Sequence, residues 1–219
     1  MHRRRRTALV LSAAIVAAAP LLTGCGSEAH PGAAAVVDGR RITVAQLESR
    51  VSEVRSAQRA ASKDDAQYEQ VIANTGTLTR DTLHGMVLDR VLDRAAKNAG
   101  VSVTRKDSQQ MRAALEQQAG GSEALEAAWL TNYGVAPQRL DDSLRTELEA
   151  RKLASALGAD MNTTAGKAAF WKAMSAASKQ LDVDLNPRYG TWDVQKSSRV
   201  DAKTPWLREV TATGTQQTA

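Results

Sequence analysis

Val36-Val37-Asp38-Gly39-Arg40-Arg41-Ile42-Thr43 is the stretch on which the fold turns. Two short apolar runs flank Asp38-Gly39, a dipeptide that supplies the positive φ angles of a tight hairpin turn. Thr43 closes the second run and has Gln46 three residues on, the spacing of a capping box, so a helix must begin there. Val44, Leu47, Val51 and Val54 mark one narrow helical face that continues to about Ser62. A hairpin feeding straight into an amphipathic helix is an α-rich opening with a small sheet at its edge.

Downstream the pattern is helical almost throughout. Residues 63–74 are polar, and their helical continuity is left open. From about Arg80 to Asn98, Leu83, Val87, Leu88, Val91, Leu92 and Ala95 spread over half of a helix circumference. So wide an arc implies burial on two sides and makes this the expected central helix. Gly100 stops it. Thr104 and Asp107 have capping-box spacing, with Asp in the Glu/Gln position, and start a third helix that Gly120-Gly121 breaks. Ser122 opens a fourth, in which Leu125, Trp129 and Tyr133 recur every four residues. The fifth runs from about Gln138 to Leu157, with Leu140, Leu144 and Leu148 on one side and Leu153 and Leu157 nearly opposite. It is expected to leave one packing layer and enter another. A sixth, about Ala165 to Gln180, aligns Phe170, Met174 and Ala177, with Leu181 beyond. Leu181-Asp182-Val183-Asp184-Leu185 then alternates with period two and reads as a strand, ended by Asn186-Pro187 and the residues to Trp192. The fold class is therefore mainly α, with about six helices and a small antiparallel sheet built from the N-terminal hairpin and a C-terminal strand.

Ahead of the hairpin stands a segment of another kind. Arg3 to Arg6 form a positive cluster, Ala8 to Leu22 an apolar run of export-signal length containing Pro20, and small residues precede Cys25, the only cysteine. Leu22-Thr23-Gly24-Cys25 resembles a bacterial lipobox, which implies cleavage before Cys25 and acylation of its thiol. The expected division is a signal peptide over 1–24, a tether over 25–34, a helical domain over 35–195 and a flexible tail over 196–219. The expected location is the extracytoplasmic face of the cell membrane, held there by the lipid.

Cleavage also changes the electrostatics. The full chain has 29 Lys and Arg against 24 Asp and Glu, yet four of those arginines and none of the acids precede Cys25. The remainder is nearly neutral, so the sequence pI of about 9.6 belongs to the leader and does not argue for nucleic-acid binding. With Cys25 acylated no thiol remains for a disulfide, a metal or nucleophilic attack. Beyond the leader the histidines are His30 in the tether and His84 in a helical pattern, read as a partly exposed helix residue. An H-x-x-x-H pair of metal-ligand spacing, a G-x-S-x-G elbow and a phosphate-cradling glycine loop are all missing from the sequence. No catalytic residue, metal ligand or cofactor is assigned.

Several of these segments together resemble the SurA and PrsA family of extracytoplasmic chaperones. Val36 to Thr43 is similar to the family's opening hairpin, with Asp38 in place of the commoner asparagine. Lys97-Asn98-Ala99-Gly100 with Val101 to Thr104, Gly120 to Leu125, and the leucine-spaced helix from Arg139 continue the resemblance. Val183 to Gly190 is similar to the strand that closes the SurA N-terminal domain. Many members carry a parvulin prolyl-isomerase domain between the last two helices. Here only Gly158 to Thr164 lies between them, too short for any domain.

The resemblance implies a chaperone that holds unfolded or nascent exported proteins on an apolar cradle without a reaction centre. Candidates for client contact are Trp129, Tyr133, Phe170, Trp171 and Met174, aromatic and thioether groups that repack against varied partners. Trp129, Phe170 and Met174 lie on regular stripes and read first as core. Trp171 falls roughly 100° off the Phe170 stripe, which leaves packing and client contact both open. Trp192 and Trp206 read as packing and tail residues. An isomerase-family foldase and an accessory envelope lipoprotein docking one partner are the other readings; client identity and oligomeric state are not encoded in any motif.

Overall fold

The computed structural model describes residues 32–201. The leader, Cys25 with its lipobox, most of the tether and Trp206 lie outside the described residues. Strands β1 (Ala33–Val37) and β2 (Arg40–Thr43) form the hairpin that Asp38-Gly39 demands, with φ of 54° and 68° at the two turn residues. Thr43 caps α1 (Val44–Ala61) reciprocally: Gln46 N–H donates to the Thr43 hydroxyl (3.1 Å) and Thr43 N–H to Gln46 Oε1 (2.9 Å).

There follow α2 (Asp65–Asn74), α3 (Leu78–Asn98), α4 (Arg105–Ala119), α5 (Ser122–Tyr133), α6 (Leu140–Ala156) and α7 (Thr164–Gln180). Strand β3 (Asp184–Leu185) then returns beside β1, giving an antiparallel sheet of order β2-β1-β3. The chain's first and last core segments therefore meet. The fold is mainly α with a small antiparallel sheet, as expected.

Helix α3 is the centre. Leu83, Val87, Val91 and Ala95 are buried in one core with Ala35, Val37 and Ile42 of the hairpin and Met174, Ala177 and Leu181 from the α7 side. Helix α6 does pass between layers: Leu140 and Leu144 pack with Leu125 of α5, whereas Leu153 joins the main core. Burial of such side chains, at about 25 cal/mol per Å² of apolar surface, is what holds the helices together. A half-buried ion pair ties α1 to the start of α6: Arg139 donates through Nε and Nη2 to both Glu53 oxygens at 2.7 Å. These bonds hold the Glu53 carboxyl below the usual range. Arg139→Ala should lower stability by about 1–2 kcal/mol in urea titration, as loss of a two-pronged charged hydrogen bond does.

Three expectations are corrected, and one open segment is resolved. Residues 63–74 contain α2, capped by Asp64, which brings the helices among the described residues to seven; none of its side chains is buried, so it left no apolar stripe to read. The tether does not reach residue 34: Ala33 and Ala34 belong to β1 and are buried, being small enough to pack under α3 and beside β3. The strand is shorter than 181–185, since Leu181 caps α7 and Asp182 adopts φ of 45°. The tail does not begin at 196: β4 (Thr191–Asp193) and β5 (Ser198–Val200) pair as a second hairpin, turned at Ser197, which is buried.

That second hairpin is anchored by polar contacts that the alternation pattern does not reveal. Trp192 donates from its indole N–H to the Ser178 hydroxyl (2.6 Å), and its ring lies 5.7 Å from that of His84. His84 Nδ1 accepts from the Arg199 backbone N–H. Burial first, and the Arg199 charge second, hold the imidazole below its ordinary pKa of 6.5. The folded chain thus binds this proton less readily than the unfolded one. Its stabilising contribution is complete above about pH 6.5 and is lost as pH falls below it. The urea midpoint of His84→Gln should lack this part of the acid-side decline.

Candidate functional site

Helices α5, α6 and α7 do not close over α3. They leave a cleft of about 360 Å³ whose floor is Leu88, Asp89 and Leu92 of α3. Trp129 and Tyr133 form one wall, Thr146, Glu147, Ala150 and Arg151 a second, and Phe170, Trp171 and Met174 the third. All five side chains selected from sequence therefore line one depression. Their roles divide. Met174 and Phe170 are 2% and 7% exposed and belong to the core that backs the cleft, so the core reading holds for both. Trp129 is half-buried against Leu125, Leu140 and Leu144, with Tyr133 stacked on it at 5.2 Å between ring centroids.

Tyr133 and Trp171 are different: they are 67% and 43% exposed. Trp171 rests edge-on against Phe170, 5.6 Å between centroids, which fixes its ring at the mouth. Helical geometry makes this unavoidable. Phe170 must enter the core, and its neighbour, turned by roughly 100°, must then leave it.

A second depression of about 410 Å³ adjoins the first, sharing Asp89, Tyr133, Ser143 and Thr146 with it. Its lining comes from α1, the first half of α3, residues 133–139 and the start of α6, and mixes charged with apolar side chains. Arg50, Asp81, Asp89 and Arg145 were not picked out from sequence, since each reads there as one more charge on a solvated helix face. Asp89 stands where the two depressions join. Its carboxyl stays open to solvent while protein surrounds it on several sides, and the thinned solvation raises it to about 6. Among the described residues no three His, Cys, Asp or Glu side chains gather as a metal-binding group, and no helix is long and apolar enough to cross a membrane.

A family model, the SurA-like N-terminal domain, matches residues 1–154. The chain belongs to the SurA-like N-terminal domain family. Membership carries the family's general, chaperone-like role in protein folding. No curated protein and no solved structure matched the chain in the corresponding comparisons. The SurA-like match ends within α6, yet α7 and β3 complete the architecture, β3 by pairing with β1 and α7 by walling the cleft. Between α6 and α7 only residues 157–163 intervene.

Proposed function

We propose that this protein is a membrane-anchored extracytoplasmic chaperone that holds unfolded exported polypeptides in the cleft between α5, α6 and α7. The observation that carries the reading is the pairing of Tyr133 and Trp171, both exposed, across one depression backed by core apolar groups. Large exposed apolar side chains that converge on a concavity are the usual mark of a binding surface, whereas scattered ones are not. The open, shallow shape suits extended segments of many sequences, bound weakly.

No reacting group is needed for this work, and none is assigned; holding, not isomerisation, is the activity proposed. Acylation of Cys25 would fix the cleft near the membrane and raise the local concentration of weak client sites without any new contact. The test is light scattering from a chemically denatured exported protein diluted into equimolar chaperone. Slower aggregation is expected, with a proline-limited refolding phase left unaccelerated. Unchanged aggregation contradicts holding, and an accelerated proline phase contradicts a purely passive role. Cys25→Ser should move the protein from the membrane to the soluble fraction; continued membrane association would contradict the anchor.

A further inference from the structure

Most charges around the cleft are matched. Arg139 is bound by Glu53, Arg151 reaches Glu147 at 2.8 Å, Arg145 reaches Glu149 at 3.8 Å, and Asp81 accepts from the Thr77 hydroxyl at 2.6 Å. Arg50, in the second depression, and Asp89, where the two depressions join, are the exceptions. Among the described residues Asp89 has no hydrogen bond and no ion pair within 4 Å. In the aromatic depression the only other charged lining groups are Glu147 and Arg151, which satisfy each other. That end of the cleft is therefore an apolar surface with one unmatched negative charge on its floor, between Leu88 and Leu92.

Resting on the client-holding reading above, we infer that the cleft selects unfolded segments in which a lysine or arginine lies beside an apolar side chain. The apolar group packs on Trp171 and Tyr133, and the cation meets the Asp89 carboxylate. The aromatic faces add to the attraction for a cation passing over them. A carboxylate with protein on several sides and apolar side chains beside it makes a stronger charged hydrogen bond than one on an open surface.

Acid should weaken the preference. The groups facing Asp89 are Arg50 from α1, which together with Arg145 from α6 favours the carboxylate, and Asp142 and Glu149 from α6, which disfavour it. Burial dominates them all. Helix α5 presents the Tyr133 phenol and α7 no charged lining group. As pH falls through about 6 the carboxyl takes up a proton and the cation loses its partner.

The test uses three fluorescent, unstructured peptides, identical except for lysine, norleucine or glutamate beside a leucine-phenylalanine pair, with binding read by anisotropy on the full chain. At about pH 7.5 the lysine peptide should bind roughly fivefold tighter than the norleucine peptide, with glutamate weakest. In Asp89→Asn the lysine and norleucine affinities should converge, and Asp89→Glu should restore part of the gap. At about pH 5 the wild type should behave as Asp89→Asn does. Trp171→Ala should weaken both peptides together, which tests the cleft itself. Equal lysine and norleucine affinities in the wild type, or a gap that survives in Asp89→Asn, would overturn the cation preference while leaving the cleft intact. Absence of binding by every peptide would overturn both.

Discussion

Gly166→Ala should destabilise the protein by about 3 kcal/mol and lower its melting temperature by roughly 10 °C. Ordinarily this substitution in a helix favours folding by about 1 kcal/mol, so the sign is diagnostic. Residues 157–163 fold back across the first turn of α7. Thr163 caps that turn by accepting from Gly166 N–H (3.0 Å), while its hydroxyl donates to the Asp160 carbonyl (2.9 Å). A Cβ on Gly166 would meet the Asp160 peptide, with the nitrogen 2.6 Å away and the carbonyl closer still. Backbone, unlike a flexible side chain, cannot swing aside, so either the loop or α7 has to shift. Helix α7 carries Phe170, Met174 and Ala177 into the core, and displacing it opens the core and the third wall of the cleft together. Thermal and urea denaturation measure the effect. A variant as stable as the wild type would contradict this account of the α6–α7 connection.

The double variant Tyr133→Ala, Trp171→Ala should lose at least about tenfold in affinity for a denatured client, and with it the suppression of aggregation. Stability should change by less than about 1 kcal/mol, because both side chains sit at the surface, outside the buried core clusters, and no buried cavity results. Leu157 and Met161, 38% and 39% exposed but away from the cleft, provide the matched control. Leu157→Ala, Met161→Ala removes exposed apolar surface of the same kind and should leave client affinity near the wild-type value. Equal losses in the two double variants would mean that general surface hydrophobicity, and not this cleft, captures clients.

Much of this architecture is written in local chemistry. Asp38-Gly39 admits little but a hairpin turn, the Thr43 and Thr104 caps were both realised, and the broad arc of α3 required burial on two sides. What escaped lacked a local signature. Helix α2 buries nothing, so period and hydropathy were silent about it. The β4–β5 hairpin depends on His84, 115 residues from its partner Arg199, and on Ser178 beneath Trp192.

The candidate site divides in the same way. Aromatic residues at helical spacing stood out, and the 100° step from Phe170 singled out Trp171. Asp89 did not, because its distinction is the absence of a partner and the company of Arg50 and Arg145, which only the packed helices reveal.

The most direct test of client holding is site-specific photocrosslinking from position 171, using an unnatural phenylalanine analogue, to a denatured exported protein. Position 118 on α4, where Gln118 is exposed and remote from the cleft lining, is the comparison. Adducts should form at position 171 and disappear when an unlabelled unfolded competitor is added, with little or none at position 118. Equal adduct yields at the two positions, or adducts at 171 that the competitor leaves unchanged, would contradict the assignment of the cleft as the place where clients are held.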